Sequence, residues 1–220
     1  AEVIGIDFAP AMAARAARGR WLRRGPMALC ADMHRLPLAD ASVDIVFSSL
    51  ALQWIEDLPA LFTEVRRVLR PEGVLMFSTF GPDTLSELRE AWAAVDERAH
   101  VNRFLDMHDI GDAVLRAGLV DPVMDVDRVR RRYADVRTLM RELKAIGAQN
   151  AASARPRGLL GRGRLAHLEQ AYPAYHEEGG IVATWELAYG HAWGAATPRA
   201  PRGDAREQHV PIESIGRRSR

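Results

Sequence analysis

Polar side chains follow three short apolar segments of the sequence. Asp7 ends the first segment and Asp32 ends the second, 25 residues later. Ser48 and Ser49 end the third. If these segments are parallel strands, their carboxyl ends meet at one edge of a sheet, where Asp7 can accept hydrogen bonds from both hydroxyls of a ribose. Asp32 can accept one from an adenine amino group, and the two serines face the same crevice. The set predicts a nucleoside site, although a single strand-end Asp is equally typical of a turn or a helix cap.

A mainly parallel sheet is required to bring these positions together. Apolar segments without polar alternation indicate strands buried on both faces, and helical patterns between them indicate right-handed crossovers. The predicted strands cover 3–7, 27–32, 44–49, 74–80, 123–133 and 181–193, and the predicted helices cover 10–24, 59–69, 84–95, 110–117 and 136–146. Residues 151–164 are rich in Ala, Arg and Gly and are predicted to form a loop. We therefore expect one α/β domain over 1–193 and a disordered tail over 194–220.

Composition narrows the class of protein. The chain has 220 residues, 48% hydrophobic and 27% charged, with a formal net charge of +1. This charge creates no field that would attract nucleic acid, and no apolar segment approaches the roughly 20 residues of a membrane span. Cys30 is the only cysteine, which excludes an intramolecular disulfide and a cysteine-rich zinc site. A reducing compartment is indicated, and we expect a cytoplasmic protein.

Four segments at these strand ends are similar to the successive motifs of class I S-adenosylmethionine-dependent methyltransferases. They are Gly5–Met12, Ala31–Leu38, Asp44–Ser49 and Leu69–Gly73. The resemblance implies a Rossmann-like, doubly wound α/β fold with a small helical insertion, and S-adenosylmethionine as the cofactor. It assigns Asp7 to the ribose, Phe8 and Met12 to the adenine side, and Asp32 and Met33 to the adenine edge.

Four further segments resemble the malonyl-acyl carrier protein O-methyltransferases of biotin synthesis. They are Ser48–Trp54, Phe77–Leu85, Asp106–Asp112 and Tyr189–Trp193, so the resemblance extends over nearly the whole chain to Trp193. It implies methylation of the free carboxylate of a malonyl thioester on acyl carrier protein, which is then the partner. Because that carboxylate is already ionised near neutral pH, the reaction needs alignment and desolvation rather than a general base. No catalytic residue is therefore predicted.

Several residues are candidates for binding the acyl substrate. His100 and Asn102 can line the acyl pocket, or lie on the surface as ordinary polar residues. Arg162 can hold one carboxylate oxygen and leave the other free, or be a solvated loop residue. Five aromatic residues can form the pocket wall or belong to the core: Trp54, Phe80, Trp185, Tyr189 and Trp193.

Two charged clusters permit two interpretations each. His108, between Asp106 and Asp109, suggests a metal site, but acids around a helix start are more typical of caps, so no metal is predicted. Arg128 and the arginines at 130–132 can receive an acidic carrier protein. They can equally be a solvated edge that prevents pairing with another strand.

The Glu/Asp-x-Gly-x-Gly-x-Gly loop of the family is not present in this sequence, which opens at Ala1 inside a predicted strand. The first strand of the family fold and this glycine loop are thus expected to be absent from the chain. That strand is central, between those ending at Asp7 and Ser49, so we expect a fragment or an impaired domain. Two other functions remain open: a related protein-arginine hydroxylase of complex I assembly, similar around 140–150, and a non-catalytic methyltransferase-like binding domain. The segment Phe77–Leu85 favours the biotin enzymes.

Overall fold

The computed structural model describes residues 2–17, 27–98, 100–145, 162–173 and 179–196. Each strand and helix predicted from the sequence is present there, with ends shifted by a few residues, while 18–24 of the first helix and the tail beyond 196 lie outside the described residues. None of the described helices is long and apolar enough to span a membrane. In chain order the elements are β1 (Ile4–Asp7), α1 (Pro10–Ala17), β2 (Met27–Cys30), β3 (Val43–Ser49), α2 (Leu58–Val68), β4 (Leu69–Phe80), α3 (Ser86–Ala93), α4 (Met107–Arg116), β5 (Leu119–Tyr133), α5 (Val136–Ala145), α6 (Arg162–Ala171) and β6 (Ile181–Gly194).

The strands form two sheets. β1 and β2 pair in parallel, with Asp7 opposite Cys30. The larger sheet has the order β3-β4-β6-β5, in which β3 and β4 are parallel and β6 runs antiparallel to both of its neighbours. In the larger sheet β3, β4 and β5 run in one direction and β6 opposes them, so the predicted α/β sheet with mainly parallel strands is confirmed, with β5 at its edge. No pair of hydrogen-bonded strands joins the two sheets within the described ranges.

Helix α2 connects β3 to β4 and covers one face of the larger sheet. Its start is fixed because Asp57 Oδ1 accepts a hydrogen bond from Ala60 N at 2.9 Å and Pro59 occupies the first turn. One side of the helix is apolar at helical spacing and is buried against the sheet together with α4. The helix ends at Val68, and the chain enters β4 without a loop.

A second apolar core lies under α3, α5 and α6, next to the start of β6. The helices around this core form the small helical insertion that the family resemblance predicts. The prediction that 151–164 is a loop is wrong at 162–164, which begin α6. Leu168 is fully buried beside Leu139 and Tyr172, and this burial stabilises a helix that the Ala-, Arg- and Gly-rich composition does not suggest.

The other face of the larger sheet is open in the described part of the chain. Phe47 of β3 lies beside Met76 of β4, and these side chains are 72% and 46% exposed. On the opposite face, Val46 lies beside Leu75, which is 2% exposed and belongs to the core under α2. The described residues therefore cover one face of these strands, whereas the sequence predicts burial on both.

Two phenylalanines on neighbouring strands provide a test of this difference between the covered face and the open face of the sheet. Phe77 is 4% exposed and packs on Phe62, with ring centroids 5.8 Å apart, whereas Phe47 points to the open face. Phe77→Ala is expected to lower the free energy of unfolding by about 3–5 kcal/mol. Phe47→Ala, the matched control, is expected to lower it by less than about 1 kcal/mol. Urea unfolding followed by circular dichroism measures both, and equal losses would show that Phe47 is buried in solution.

Candidate functional site

The parallel pairing of β1 and β2 brings Asp7 and Asp32 to the same edge of their sheet. Asp7 ends β1, and Asp32 follows the end of β2 by two residues. The Asp7 carbonyl accepts from Ala31 N at 3.2 Å, which keeps the two strand ends together. Asp7 Oδ1 accepts from Ala9 N at 2.7 Å, whereas Oδ2 has no partner among the described residues. One carboxylate oxygen of Asp7 is therefore free for a ligand hydroxyl.

Asp32 is held in its ionised form by His34. Its Oδ1 accepts from the His34 backbone N–H at 2.9 Å and lies 2.9 Å from His34 Nδ1. The backbone hydrogen bond, followed by the side-chain hydrogen bond, lowers the pKa of Asp32 below its usual range. The other ring nitrogen of His34 lies 3.2 Å from the carbonyl oxygen of Asp57, at the start of α2.

Large apolar side chains lie next to both acids. Phe8 and Met12, directly after Asp7, are 74% and 52% exposed, and Met33 packs against the core under α2. An ionised acid beside an exposed ring and a thioether matches a nucleobase, which offers amino hydrogens at its edge and a flat apolar face. The residues at this edge thus fit an adenosine group.

Arg67 of α2 holds the segment that carries Asp32. Its guanidinium donates to the carbonyl oxygens of Leu36 and Leu38 at 3.0 and 2.8 Å, to Asp40 at 2.6 Å and to both oxygens of Glu64. Glu64 in turn accepts from Leu36 N at 2.6 Å. We call these three charged residues, Arg67, Glu64 and Asp40, the Arg67 cluster. It satisfies backbone groups of an extended segment that makes few internal hydrogen bonds. Sequence reasoning missed this cluster, although the Glu–Arg spacing of three on α2 is a signal for it.

The end of β3 presents one hydroxyl on each face of the sheet. Ser48 Oγ is buried and has no hydrogen-bond partner in the described residues, whereas Ser49 Oγ accepts from Ser78 Oγ at 3.3 Å on the open face. The chain then turns at Leu50, whose φ is 50°, into a short 3₁₀ turn that ends at Trp54. A buried hydroxyl without a partner is uncommon, and the predicted role of Ser48 in ligand binding stays a prediction.

A cavity of about 360 Å³ opens beside the ends of β3 and β4. Four of the predicted substrate residues line it, namely Trp54, Phe80, His100 and Asn102, together with Trp185. The Phe80 ring lies 5.6 Å from that of Trp185. We call this space, with its aromatic walls, the aromatic cavity. The role of these residues in substrate binding stays a prediction.

The other predicted residues lie elsewhere. Tyr189 and Trp193 are about two-fifths exposed on β6 and do not line the aromatic cavity, because they pair with Ser78 and Val74, farther along the strands than Phe80 at the end of β4. The side chain of Arg162 lies outside the described part of the structure. Asp106 caps α4 by accepting from His108 N at 2.8 Å, which confirms the predicted cap. No cluster of three potential metal ligands occurs among the described residues.

Glu186 of β6 fixes the turn that forms one wall of the cavity. Its side chain is 5% exposed and accepts from Asp83 N at 2.7 Å and from Arg128 at 3.2 Å. Its backbone exchanges two hydrogen bonds with the hydroxyl of Thr84, a residue that lines the cavity. At Gly81 a Cβ would lie 2.6 Å from this carboxylate, so glycine is required there. Sequence reasoning missed Glu186, although an acid within the apolar strand 181–188 is a visible signal.

The arginines of β5 are engaged in ion pairs within the chain. Arg128 lies 2.8 Å from Asp83 in addition to its contact with Glu186, and Arg131 lies 2.7 Å from Glu142. These pairs favour the interpretation of the Arg-rich strand as a charged, protected sheet edge.

The sequence and the fold of this chain are similar to those of known proteins. A family model described as a methyltransferase domain matches residues 1–77. The malonyl-acyl carrier protein O-methyltransferase of Halorhodospira halophila is 51% identical over 100% of this chain and 75% of its own length. That of Laribacter hongkongensis is 49% identical over 94% of this chain and 73% of its length. Among solved structures, the YcgJ protein of Bacillus subtilis aligns with a TM-score of 0.61 at 14% identity, over 88% of this chain and 82% of that protein, which supports the fold alone.

The acid at the end of β1 can be tested by ligand binding. Asp7→Ala is expected to weaken binding of S-adenosylhomocysteine by at least about tenfold, because a charged acceptor for the ribose hydroxyls is lost. Asp44→Ala removes an exposed acid at the opposite end of β3, where it pairs only with Arg70 among the described residues, and is expected to leave binding unchanged. Isothermal titration calorimetry measures both. Equal dissociation constants for Asp7→Ala and the unaltered chain would exclude the proposed ribose contact.

The Arg67 cluster makes stability depend on pH. The hydrogen bond from Arg67 lowers the pKa of Glu64 in the folded state. Stability from this group is therefore present above its unfolded pKa of about 4.5 and is lost as pH falls through the lower folded value. Glu64→Gln is expected to reduce the free energy of unfolding by about 1–3 kcal/mol at pH 7, and by less near pH 3. Urea unfolding at both pH values tests this, with Glu169→Gln, in an exposed pair with Arg137, as control. A loss in Glu64→Gln that is independent of pH would contradict the assignment.

Proposed function

Because the chain belongs to the malonyl-acyl carrier protein O-methyltransferase family, we propose that its aromatic cavity holds the malonyl group and its Asp7–Asp32 edge holds the adenosine part of S-adenosylmethionine. Members of this family are S-adenosylmethionine-dependent O-methyltransferases of biotin synthesis, and this chain is an enzyme of that class. The partner is then the acyl carrier protein that presents the malonyl thioester.

The observation that carries this assignment is the position of the segment between β3 and α2. Trp54 in this segment lines the aromatic cavity, and the carbonyl oxygen of Asp57 contacts His34, the residue that holds Asp32. A single short stretch of backbone therefore borders both the cavity and the adenosine edge. This arrangement supports a site in which two different small groups lie side by side.

S-adenosylmethionine supplies the activated methyl group when it is bound. Asp7 and Asp32 each keep one carboxylate oxygen without a partner in the described residues, which suits the ribose hydroxyls and the adenine amino group. Phe8, Met12 and Met33 provide apolar surface for the base, and Ser48 and Ser49 provide hydroxyls at the border of the two regions.

The cavity suits a reaction in which the nucleophile is already formed. A malonyl carboxylate is ionised near neutral pH, so the site has no proton to remove. The aromatic walls from Phe80, Phe104 and Trp185 exclude water, which strengthens polar contacts inside and limits the orientations of the acyl group. The residues of this chain thereby contribute position and desolvation.

The proposed reaction is tested with purified malonyl-acyl carrier protein and S-adenosylmethionine. The chain is expected to produce the malonyl methyl ester, detected by mass spectrometry of the carrier protein. Trp54→Ala is expected to reduce kcat/KM by about 10- to 100-fold, since a wall that orients the acyl group is lost. Its binding of S-adenosylhomocysteine is expected to stay within about twofold, because Trp54 belongs to the cavity.

Trp193→Ala is the matched control, because Trp193 is exposed to the same degree but lies on the open face of the sheet. It is expected to leave kcat/KM unchanged. Binding of S-adenosylhomocysteine without any ester would contradict the proposed substrate, and hydroxylation of arginine would indicate the related hydroxylase. Failure to bind S-adenosylhomocysteine would indicate a non-catalytic domain.

A further inference from the structure

His100 is a buried histidine at the wall of the aromatic cavity. Its side chain is 10% exposed and lines the cavity. The imidazole ring stacks on the indole of Trp92, with ring centroids 3.7 Å apart and planes inclined by 10°. Stacking of this kind fixes the orientation of the imidazole ring.

Asp96 determines how the imidazole is oriented. Its Oδ1 lies 2.7 Å from His100 Nε2, so Nε2 carries a hydrogen and Nδ1 is the ring nitrogen left for the cavity. Nδ1 has no partner among the described residues. Burial acts to raise the pKa of Asp96, but the hydrogen bonds from His100 and from Arg98 N outweigh it, and the pKa lies below its usual range. Asp96 is therefore an ionised hydrogen-bond acceptor for the imidazole ring.

The charges beyond Asp96 reinforce this arrangement. Asp96 Oδ2 accepts no hydrogen bond from the described residues, and the Arg164 guanidinium lies 3.8 Å from it. Asp96 thus lies between the Arg164 guanidinium and the His100 imidazole. The inner end of this row, His100, borders the cavity.

A buried carboxylate requires a cationic or hydrogen-bonding partner, because leaving it unpaired in an apolar space costs several kcal/mol. The described residues that line the aromatic cavity include neither arginine nor lysine, and His100 is the one among them that can carry a positive charge. Gln53 and Asn102 each contribute a side-chain carbonyl oxygen without a partner in the described structure, which accepts hydrogen bonds and does not attract an anion. The Trp185 indole N–H also has no partner there and can donate to an oxygen, but it carries no charge.

Building on the proposed function, we propose that His100 binds the malonyl carboxylate as an imidazolium and donates one hydrogen bond from Nδ1 to one of its oxygens. Asp96 and Trp92 are positioning residues that hold the imidazole for this contact. A single N–H holds one oxygen and leaves the second available as the nucleophile. The same contact makes the cavity selective for an acyl group that ends in a free acid over the corresponding ester.

The experiment compares two probes that differ in this charge and by one methyl group, malonyl-pantetheine and its methyl ester. Isothermal titration calorimetry with the full chain is expected to show tighter binding of the acid. His100→Gln places an amide nitrogen where Nε2 is, so the contact with Asp96 is kept while the charge and Nδ1 are lost. This variant is expected to bind the acid about 10- to 100-fold more weakly and the ester within about twofold.

Two further variants separate recognition from folding. Asp96→Asn is expected to lower the preference for the acid over the ester, because the imidazolium loses its charged partner. His108→Gln is the matched control, since His108 also has a ring nitrogen on an aspartate, Asp106, but is 80% exposed and outside the aromatic cavity. It is expected to keep the preference unchanged. The urea midpoint of each variant is measured in parallel.

Equal weakening of both probes in His100→Gln, or no weakening of either, would overturn the role of His100. If the unaltered chain methylates malonyl-acyl carrier protein while His100→Gln retains full preference for the acid, the inference fails and the proposed function stands. If the unaltered chain neither methylates that protein nor distinguishes the two probes, both fail.

Discussion

The position of Asp32 depends on one guanidinium group. The segment after β2 is extended and contains Pro37, so its carbonyl groups have few partners within the segment. Arg67 donates to these carbonyl groups from α2, and Glu64 and Asp40 complete the cluster. Helix α2, which covers the larger sheet, thereby also holds the segment in which Asp32 follows the smaller sheet. No pair of hydrogen-bonded strands joins the two sheets within the described residues, so this contact and the one between His34 and Asp57 link them.

The turn that forms one wall of the aromatic cavity is also fixed by a charged side chain that binds backbone groups, but here that side chain is an acid. Glu186 is a buried acid whose partners are the backbone of Asp83 and the guanidinium of Arg128, and it sets the turn that leads from β4 to α3. In both cases a charged residue outside the cavity satisfies backbone groups of an irregular segment. The sheet determines where the strands end, and these polar contacts determine the path of the chain beyond each end.

The sequence predicts the parts of this architecture that depend on local patterns. Apolar segments such as 44–49 and 74–80 and the Pro59 start of α2 all lie where expected, because periodicity and capping are local properties. The contacts that complete the site are not local: Glu186 meets the backbone of Asp83 across 103 residues. The sequence does not predict helix α6 for the same reason, since its stability comes from Leu168 in a distant core. Motif resemblance located the strand-end acids, and only the three-dimensional structure brought His100 onto Trp92.

The chemistry of a carboxylate nucleophile explains why a weak anion site is preferable to a strong one. A bidentate arginine would donate hydrogen bonds to both oxygens of a bound carboxylate. It would orient the carboxylate, but it would also stabilise the ionised acid before the reaction and so lower its nucleophilicity. One imidazole N–H satisfies a single oxygen, and its own charge is partly balanced by Asp96. The remaining oxygen then lies in an apolar space, with Phe80 and Trp185 excluding the water that would otherwise solvate it. The carboxylate is thereby held in place with a smaller loss of nucleophilicity than an arginine would cause. A methyl transfer to an already ionised acid requires both the orientation and the nucleophilicity.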